Sequence, residues 1–285
     1  MGKHLFQSLP LFLALFLLTA CGQEAQAEDP KWQDCRQLYA TVLTNSGEDE
    51  STARYLSIAQ RSQALLPLLE EKAGAFVMNA YNYQAIDDDG SPLYTCNGFG
   101  DCPEAIAPNG HTIQVSPNYF RFNPLETADG RDLLSQLVFA DDTLNLLVPE
   151  QFRPQEAQIL QAHRADFYFQ KVTAANDYNE MAQIPERLTL TPEDLHLNII
   201  YLKDGQRCFT CRRDCAVQTG NWITDALIQV YTGNIHCNYA HSNLSQWTYI
   251  PSQAGSAEAA YGEIASYVEA CQAQESLTKL HSAYD

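Results

Sequence analysis

One apolar segment near the start of the chain limits what the chain can form. Residues 11–18 are apolar throughout, after a short basic start at Lys3 and His4. A helix that crosses a bilayer needs about 20 consecutive apolar residues, so this segment is too short to span one. No later stretch is apolar enough either. We therefore expect the rest of the chain to fold as a body in water.

The apolar segment ends in Leu18-Thr19-Ala20-Cys21, small residues followed by a cysteine. Together with the basic start, this pattern resembles the bacterial lipoprotein signal peptide and its lipobox. The resemblance covers this segment alone. It implies export, cleavage before Cys21 and acylation of the Cys21 thiol. Gly22 stands where an aspartate would favour retention in the inner membrane, so the resemblance implies an outer-membrane anchor.

We expect three parts along the chain. Residues 1–20 are the signal peptide, and residues 21–29 are a short, polar, acidic tether that carries the lipid. Residues 30–285 are long enough to bury a substantial core. No internal repeat or obvious linker divides this last part, and we expect it to fold as a single domain.

The charge balance excludes some partners. The chain carries 17 Lys and Arg against 35 Asp and Glu, a net charge of −18. Nucleic acids bind proteins that neutralise their phosphates with basic side chains, so we expect no nucleic-acid partner. Acidity also opposes adhesion to an anionic lipid surface. The expected partners are the membrane, through the N-terminal lipid, and an envelope protein or a glycan.

The cysteine count predicts cross-links. Nine cysteines are present, and eight remain once Cys21 is acylated. An even number in an exported chain favours disulfides. We expect Cys35 and Cys271 to pair, because each lies on the apolar face of a predicted helix, and Cys96 and Cys102 to be able to close a local loop. The remaining candidates are Cys208, Cys211, Cys215 and Cys237.

Hydrophobic periodicity predicts more helix than strand. Helical spacing follows Asp29, Glu50, Pro154 and Asn221, and returns around Ala260–Cys271. Alternation predicts strands over 75–84 and 195–202, and Asp204-Gly205 after the second strand favours a hairpin. The predicted fold class is α+β: a helix-rich domain with a small β-hairpin subregion, stapled by disulfides.

The four late cysteines, from Cys208 to Cys237, allow three interpretations. A metal site would add His236 or His241, and a redox site would use Cys208 and Cys211 as an exchanging pair. Structural disulfides are the third. The exported compartment disfavours reduced thiols, and no thioredoxin-like pattern surrounds the pair. We therefore favour structural disulfides, with no metal and no cofactor.

Signatures of catalysis are absent from the sequence. It contains no G-x-S-x-G elbow, H-E-x-x-H helix, P-loop or G-x-G-x-x-G. Two acids that are distant in sequence could still meet in a cleft, as glycoside hydrolysis requires, but no catalytic residue can be named. The sequence therefore favours a non-catalytic binding or assembly role. The alternative is an envelope hydrolase acting on peptidoglycan or another glycan.

Two groups of side chains are interaction candidates. Arg207, Arg212 and Arg213 are a local basic cluster that either pairs with the protein's own acids or meets an acidic partner. Tyr81 and Tyr83 precede an irregular segment, and tyrosine suits sugar and protein surfaces. Packing in the core or at its rim is the alternative for both rings. His163, on an apolar helix face, is expected to be a core residue with its hydrogen bonds satisfied.

Overall fold

The computed structural model describes residues 29–44, 51–95 and 102–285. Within them the chain is organised around a mixed sheet of eight strands in the order β10-β1-β9-β2-β3-β8-β4-β5. The lipobox with Cys21, the tether as far as residue 28, and Cys96 lie outside the described residues.

The eight strands of the sheet are short and come from all parts of the chain. They are β1 (Leu38–Thr41), β2 (Phe76–Asn79), β3 (Thr112–Val115), β4 (Thr143–Pro149), β5 (His196–Leu202), β8 (Leu227–Val230), β9 (Thr248–Pro251) and β10 (Leu280–Ser282). Strands β6 (Arg207–Phe209) and β7 (Trp222–Thr224) form a separate antiparallel ribbon. Two pairs in the large sheet are parallel, β3 with β8 and β4 with β5.

Helices cover the sheet and connect its strands. They are α1 (Lys31–Cys35), α2 (Thr52–Ala73), α3 (Tyr119–Phe122), α4 (Glu156–Tyr168), α5 (Ala174–Met181), α6 (Cys237–Gln246) and α7 (Ala257–Ala270). A π-helical turn, Phe169–Thr173, joins α4 to α5. We call residues 156–181 the bulged helix.

The core lies on both faces of the central strands. On one face, Leu146 and Leu227 pack with Ile159 of α4. On the other, Met78 and Ile228 belong to the main cluster, which also contains the buried Phe209 of the β6–β7 ribbon. The bulged helix therefore lies over one face of the central strands, and the ribbon packs against the core of the opposite face.

The predicted helix-rich fold is wrong, because the sheet is far larger than a hairpin subregion. The clearest error is the predicted helix after Asn221, which is instead β7 and β8. All four residues of β8 are buried. A strand buried on both faces shows no alternation and cannot be told from a buried helix by periodicity. The predicted hairpin is also wrong, since β6 pairs with β7 and not with β5.

The predicted disulfide stapling is contradicted as well. No disulfide joins any two of the seven described cysteines, which are Cys35, Cys102, Cys208, Cys211, Cys215, Cys237 and Cys271. The predicted bridge between Cys35 and Cys271 is therefore not formed. Cys35 is buried, and its thiol lies beside that of Cys211, whereas Cys271 is the partly exposed C-cap of α7. Two apolar helix faces did not imply that these residues meet, because each helix packs on a different part of the core.

Candidate ligand-binding cleft

A cleft of about 290 Å³ opens above the middle of the large sheet. Its floor is formed by β2, β3 and β8, and its walls by the bulged helix, by α6 and by the connection between β2 and β3. Most of the side chains that line it are amides or aromatic rings. The amides are Asn79, Asn82, Asn109, Gln114, Gln170 and Gln229, and the rings are Tyr81, Phe169 and Tyr239.

Three of these amides form a row across the floor. Asn79 of β2 is the register partner of Gln114 of β3, and Gln114 is the partner of Gln229 of β8. Register partners on neighbouring strands project from the same face of a sheet. Asn79, Gln114 and Gln229, which we call the amide row, therefore all lie on the face that the cleft exposes.

Asn243 of α6 fixes one end of the amide row. The Asn79 Nδ2 donates to Asn243 Oδ1 at 3.0 Å, and the Asn243 Nδ2 donates to Gln114 Oε1 at 3.0 Å. This chain of bonds uses the oxygen of Gln114. Among the described residues, none accepts a hydrogen bond from the Gln114 Nε2, so that group can donate to a ligand.

The other end of the amide row holds the one described carboxylate that lines the cleft. Asp166 is only 7% exposed. Its Oδ2 accepts from Gln229 Nε2 and from Gln170 Nε2, both at 2.7 Å. Burial raises the pKa of Asp166 to about 6, although the hydrogen bonds from Gln229 and Gln170 act in the opposite direction. No ion pair to Asp166 is formed by any residue in the described ranges.

His163 holds Gln229 from behind the cleft. Its Nε2 lies 3.1 Å from the carbonyl oxygen of Ile106, and its Nδ1 lies 3.2 Å from Gln229 Nε2. A carbonyl can only accept, so we assign the proton to Nε2, which leaves Nδ1 to accept from Gln229. Burial lowers the pKa of His163 to about 4, which agrees with a neutral ring. The prediction that His163 is a satisfied core residue is confirmed.

The bulged helix delivers both Asp166 and Gln170 to the cleft. Residues four apart lie on the same helix face, and these two are joined by a hydrogen bond. The π-helical turn begins at Phe169, and such turns are frequent at functional sites. Phe169 is 45% exposed, and Tyr81 is 51% exposed. The cleft thus has a polar floor and aromatic side chains that remain accessible.

The hydrogen-bonding capacity of the cleft is weighted towards acceptors. The Asp166 Oδ1, Gln170 Oε1 and Asn82 Oδ1 accept no hydrogen bond from the described residues, whose bonds to these side chains use other atoms. Each of these side chains is nevertheless fixed by another of its atoms; the Asn82 Nδ2, for example, donates to the Thr112 carbonyl at 3.3 Å. A complementary ligand must therefore bring several N–H or O–H groups.

The two tyrosines predicted as interaction residues have different surroundings. Tyr81 lines the cleft. Tyr83 is buried, and its hydroxyl donates to the carbonyl of His111 at 2.9 Å. The ring of Tyr83 packs edge-on against Tyr94, so this residue belongs to the core.

The predicted arginine cluster lies outside the cleft and contacts the protein's own side chains. Arg212 pairs with both oxygens of Asp214, at 2.6 and 2.8 Å. Arg207 stacks on Trp222, and Arg213 stacks on Trp32. The arginines thus have partners within the protein.

Burial disfavours the thiolate form of the late cysteines. Burial raises the pKa of Cys208 and of Cys215 to about 12 and that of Cys237 to about 11. The thiolate is the reactive and metal-binding form, and these shifts oppose it. In the part of the chain that the structure describes, no three His, Cys, Asp or Glu residues are placed to hold a metal ion.

Sequence reasoning missed the amide row and Asp166. Glutamine and asparagine form no recognised motif, and the row exists only because β3 pairs in parallel with β8.

Among the described helices, none is long and apolar enough to cross a membrane. No protein-family model, curated protein or solved structure matches this chain.

Proposed function

We propose that this chain is an exported, outer-membrane-anchored lipoprotein with a non-catalytic binding role, and that its cleft receives a small hydroxylated ligand such as the end of a glycan. The lipobox-like segment ending at Cys21 supports the anchor. The cleft supports the binding role.

The amide row is the observation that carries the proposal. Carboxamides both donate and accept hydrogen bonds, as the hydroxyl groups of a sugar do. The row is held in place by Asn243 at one end and by His163 at the other. Accessible rings such as Tyr81 offer flat apolar faces to the C–H side of a sugar. At about 290 Å³, the cleft is at the small end of ligand pockets, which favours a single sugar ring.

A hydrolase is the second candidate, and Asp166 is the observation that favours it. A carboxyl group with a pKa of about 6 is suited to act as a general acid. Glycoside hydrolysis usually needs a second carboxyl group, and Asp166 is the sole acid among the described residues of the lining. Binding without hydrolysis is therefore the better-supported function. Release of reducing sugar from peptidoglycan, abolished by Asp166→Asn, would reverse this ranking.

Sugar binding by the lipidated protein in detergent tests the cleft. D-glucose, D-glucosamine and N-acetyl-D-glucosamine are suitable probes for ligand-observed NMR and calorimetry. Gln114→Leu removes the free donor of the amide row, and we expect about fivefold weaker binding, since a lost hydrogen bond costs about 1 kcal/mol. The exposed Gln253→Leu is the matched control. Absence of binding by all three probes, or equal binding by both variants, would contradict the proposal.

The anchor is tested by Cys21→Ser. This change removes the acylated thiol and leaves the apolar export segment in place. We expect the variant to move from the membrane fraction to the soluble periplasmic fraction, because no second lipid attachment site is implied. A Cys21→Ser protein that still sediments with outer membranes would show that something other than the lipid holds it there.

A further inference from the structure

We propose that the ligand of this cleft carries a primary ammonium group that pairs with Asp166, so that the preferred ligands are hydroxylated amines such as sugars with a free amino group. This inference rests on the proposed function. It adds a charge to the ligand that hydroxyl recognition alone would not require.

The first reason is a buried carboxylate without a counter-ion. A buried charge is costly unless it is paired and hydrogen-bonded. Asp166 has hydrogen bonds, but they come from the neutral amides of Gln170 and Gln229. The nearby His163 ring is neutral and uses its Nδ1 to accept from Gln229. The described surroundings of Asp166 therefore supply dipoles and no positive charge.

The two basic residues nearest to Asp166 in the sequence are Arg164 and Lys171, and neither forms an ion pair with it. The Lys171 Nζ donates to the carbonyl of Asn234 at 2.9 Å and pairs with Asp141 at 2.8 Å. The Lys171 side chain is buried in that arrangement. It is therefore held away from Asp166, and the position of a cation beside Asp166 is left for a ligand to fill.

The second reason is the match between the groups of an ammonium ion and those of the cleft. An ammonium has three donors and no acceptor. The cleft offers acceptors at Asp166 Oδ1, Gln170 Oε1 and Asn82 Oδ1, all fixed by bonds to other atoms of the same side chains. An anionic group would instead meet the Asp166 carboxylate, and the lining contains no described basic side chain to compensate.

The third reason is the aromatic lining. Cations are attracted to the faces of aromatic rings, and Tyr81, Phe169 and Tyr239 line the same cleft as Asp166. The net charge of the chain, −18, also raises the local concentration of cations. A ring and a carboxylate together favour a cationic ligand more than a neutral one.

The experiment compares three matched sugars on the lipidated protein in detergent. D-glucosamine carries a primary amine that is largely protonated at pH 7, D-glucose has a hydroxyl at the same carbon, and N-acetyl-D-glucosamine has a neutral amide there. We expect D-glucosamine to bind at least tenfold more tightly than D-glucose, with no such gain for the N-acetyl sugar. Asp166→Asn should abolish the difference, and the exposed Asp177→Asn on α5 should leave it intact.

The outcomes separate this inference from the proposed function. Equal affinity for D-glucose and D-glucosamine would overturn the ammonium pairing and leave the cleft as a sugar site. Absence of binding by all three sugars would overturn both. A preference for D-glucosamine that survives in Asp166→Asn would place the cation elsewhere and also reject the inference.

A second test needs no variant, so it holds even if Asp166→Asn does not fold. It measures the preference of the unmutated protein for D-glucosamine over D-glucose at several pH values. The preference for D-glucosamine should fall as the pH drops through about 6, because protonated Asp166 loses its charge. The groups that face Asp166 are Gln170 and His163 on its own helical segment, Gln229 on β8 and Tyr239 on α6. Burial lowers the pKa of His163 to about 4 and raises that of Tyr239, so neither changes charge between pH 7 and 5. A preference that is constant over this range would contradict the pairing.

Discussion

Asp166 in the cleft and Asp214 beside the arginine cluster are two carboxylates with opposite surroundings. Asp214 is half-buried and accepts hydrogen bonds from Nε and Nη2 of Arg212. Burial raises its pKa, but the hydrogen bonds and charge of Arg212 outweigh this, so that the pKa of Asp214 is below its usual value. Asp166 is more deeply buried and has only amide donors, and its pKa is raised to about 6.

The contrast between Asp166 and Asp214 distinguishes a polar group whose partners lie within the protein from one that is available to a ligand. The charged groups around Arg212 already have partners within the protein. Arg212 pairs with Asp214 and also stacks on the ring of Trp247. The cleft is open, because Asp166 and Gln114 each keep an atom without a described partner. A cluster of charged residues in the sequence is therefore a weaker indication of a site than a buried polar group left incomplete.

Replacing Asp166 should give the largest change in stability. An acid whose folded pKa of about 6 exceeds its unfolded value of 3.8 destabilises the folded state at pH values above both. Without ligand at pH 7, we expect Asp166→Asn to be more stable than the unmutated protein by about 3 kcal/mol at most. The advantage should fade as the pH falls from 6 to 4.

The test compares the free energy of unfolding of Asp166→Asn with that of the unmutated protein at each pH. The unmutated protein alone is not enough, because His163 changes its stability in the opposite direction over the same pH range. Its folded pKa of about 4 lies below 6.5, so its contribution is lost as the pH falls. Denaturant unfolding at pH 7 and pH 4 gives the required comparison. A loss of stability in Asp166→Asn at pH 7 would mean that the carboxylate has an internal partner, as Asp214 does.

Gln229→Leu should have the next largest effect, in the opposite direction. The change removes the donor that serves both Asp166 and His163. Leaving buried polar groups unsatisfied costs about 1–3 kcal/mol, and we expect a loss of stability in that range. Gln170→Leu is the control: it should cost less, because Gln229 still holds Asp166. If thermal unfolding showed a larger loss for Gln170→Leu than for Gln229→Leu, the main support of Asp166 would come from the bulged helix and not from β8.

Asp214→Asn should have the smallest effect of the three. Its carboxylate and the Arg212 side chain are partly exposed, and such pairs contribute about 0–1 kcal/mol. We expect a small loss that shrinks further in high salt, because salt screens exposed pairs. If Asp214→Asn stabilised the protein as Asp166→Asn is expected to, the contrast between the two carboxylates would disappear.

The sequence predicted local features of the fold better than its architecture. Glycine is the residue type that favours a helix C-cap, and Gly74 caps α2 in the left-handed conformation at φ 67°. Alternation correctly placed strands within 75–84 and over 195–202. These signals depend on residues that are close in sequence. The central strand β8 gave no alternation, because both of its faces are buried.

The candidate site could not be predicted from the sequence, for a related reason. The amide row requires the parallel pairing of β3 with β8, and the latter was predicted to be a helix. The Asp166 environment depends on the same strand through Gln229. Of the predicted interaction residues, Tyr81 lines the cleft, while Tyr83 packs in the core. The residue type alone indicated that Tyr81 could lie at a binding surface. The other residues of the site are brought together by the strand order, which the sequence did not predict.

The most direct test of the account is a site-resolved titration of Asp166 and Asp214 in the ligand-free protein. Carboxyl-detected NMR on the lipidated protein in detergent, with Asp166→Asn and Asp214→Asn to assign the two signals, gives both pKa values in one experiment. We predict a pKa of about 6 for Asp166 and a value below 3.8 for Asp214. A pKa for Asp166 at or below 3.8 would contradict this prediction, because a carboxylate so stabilised would already have its cation inside the protein.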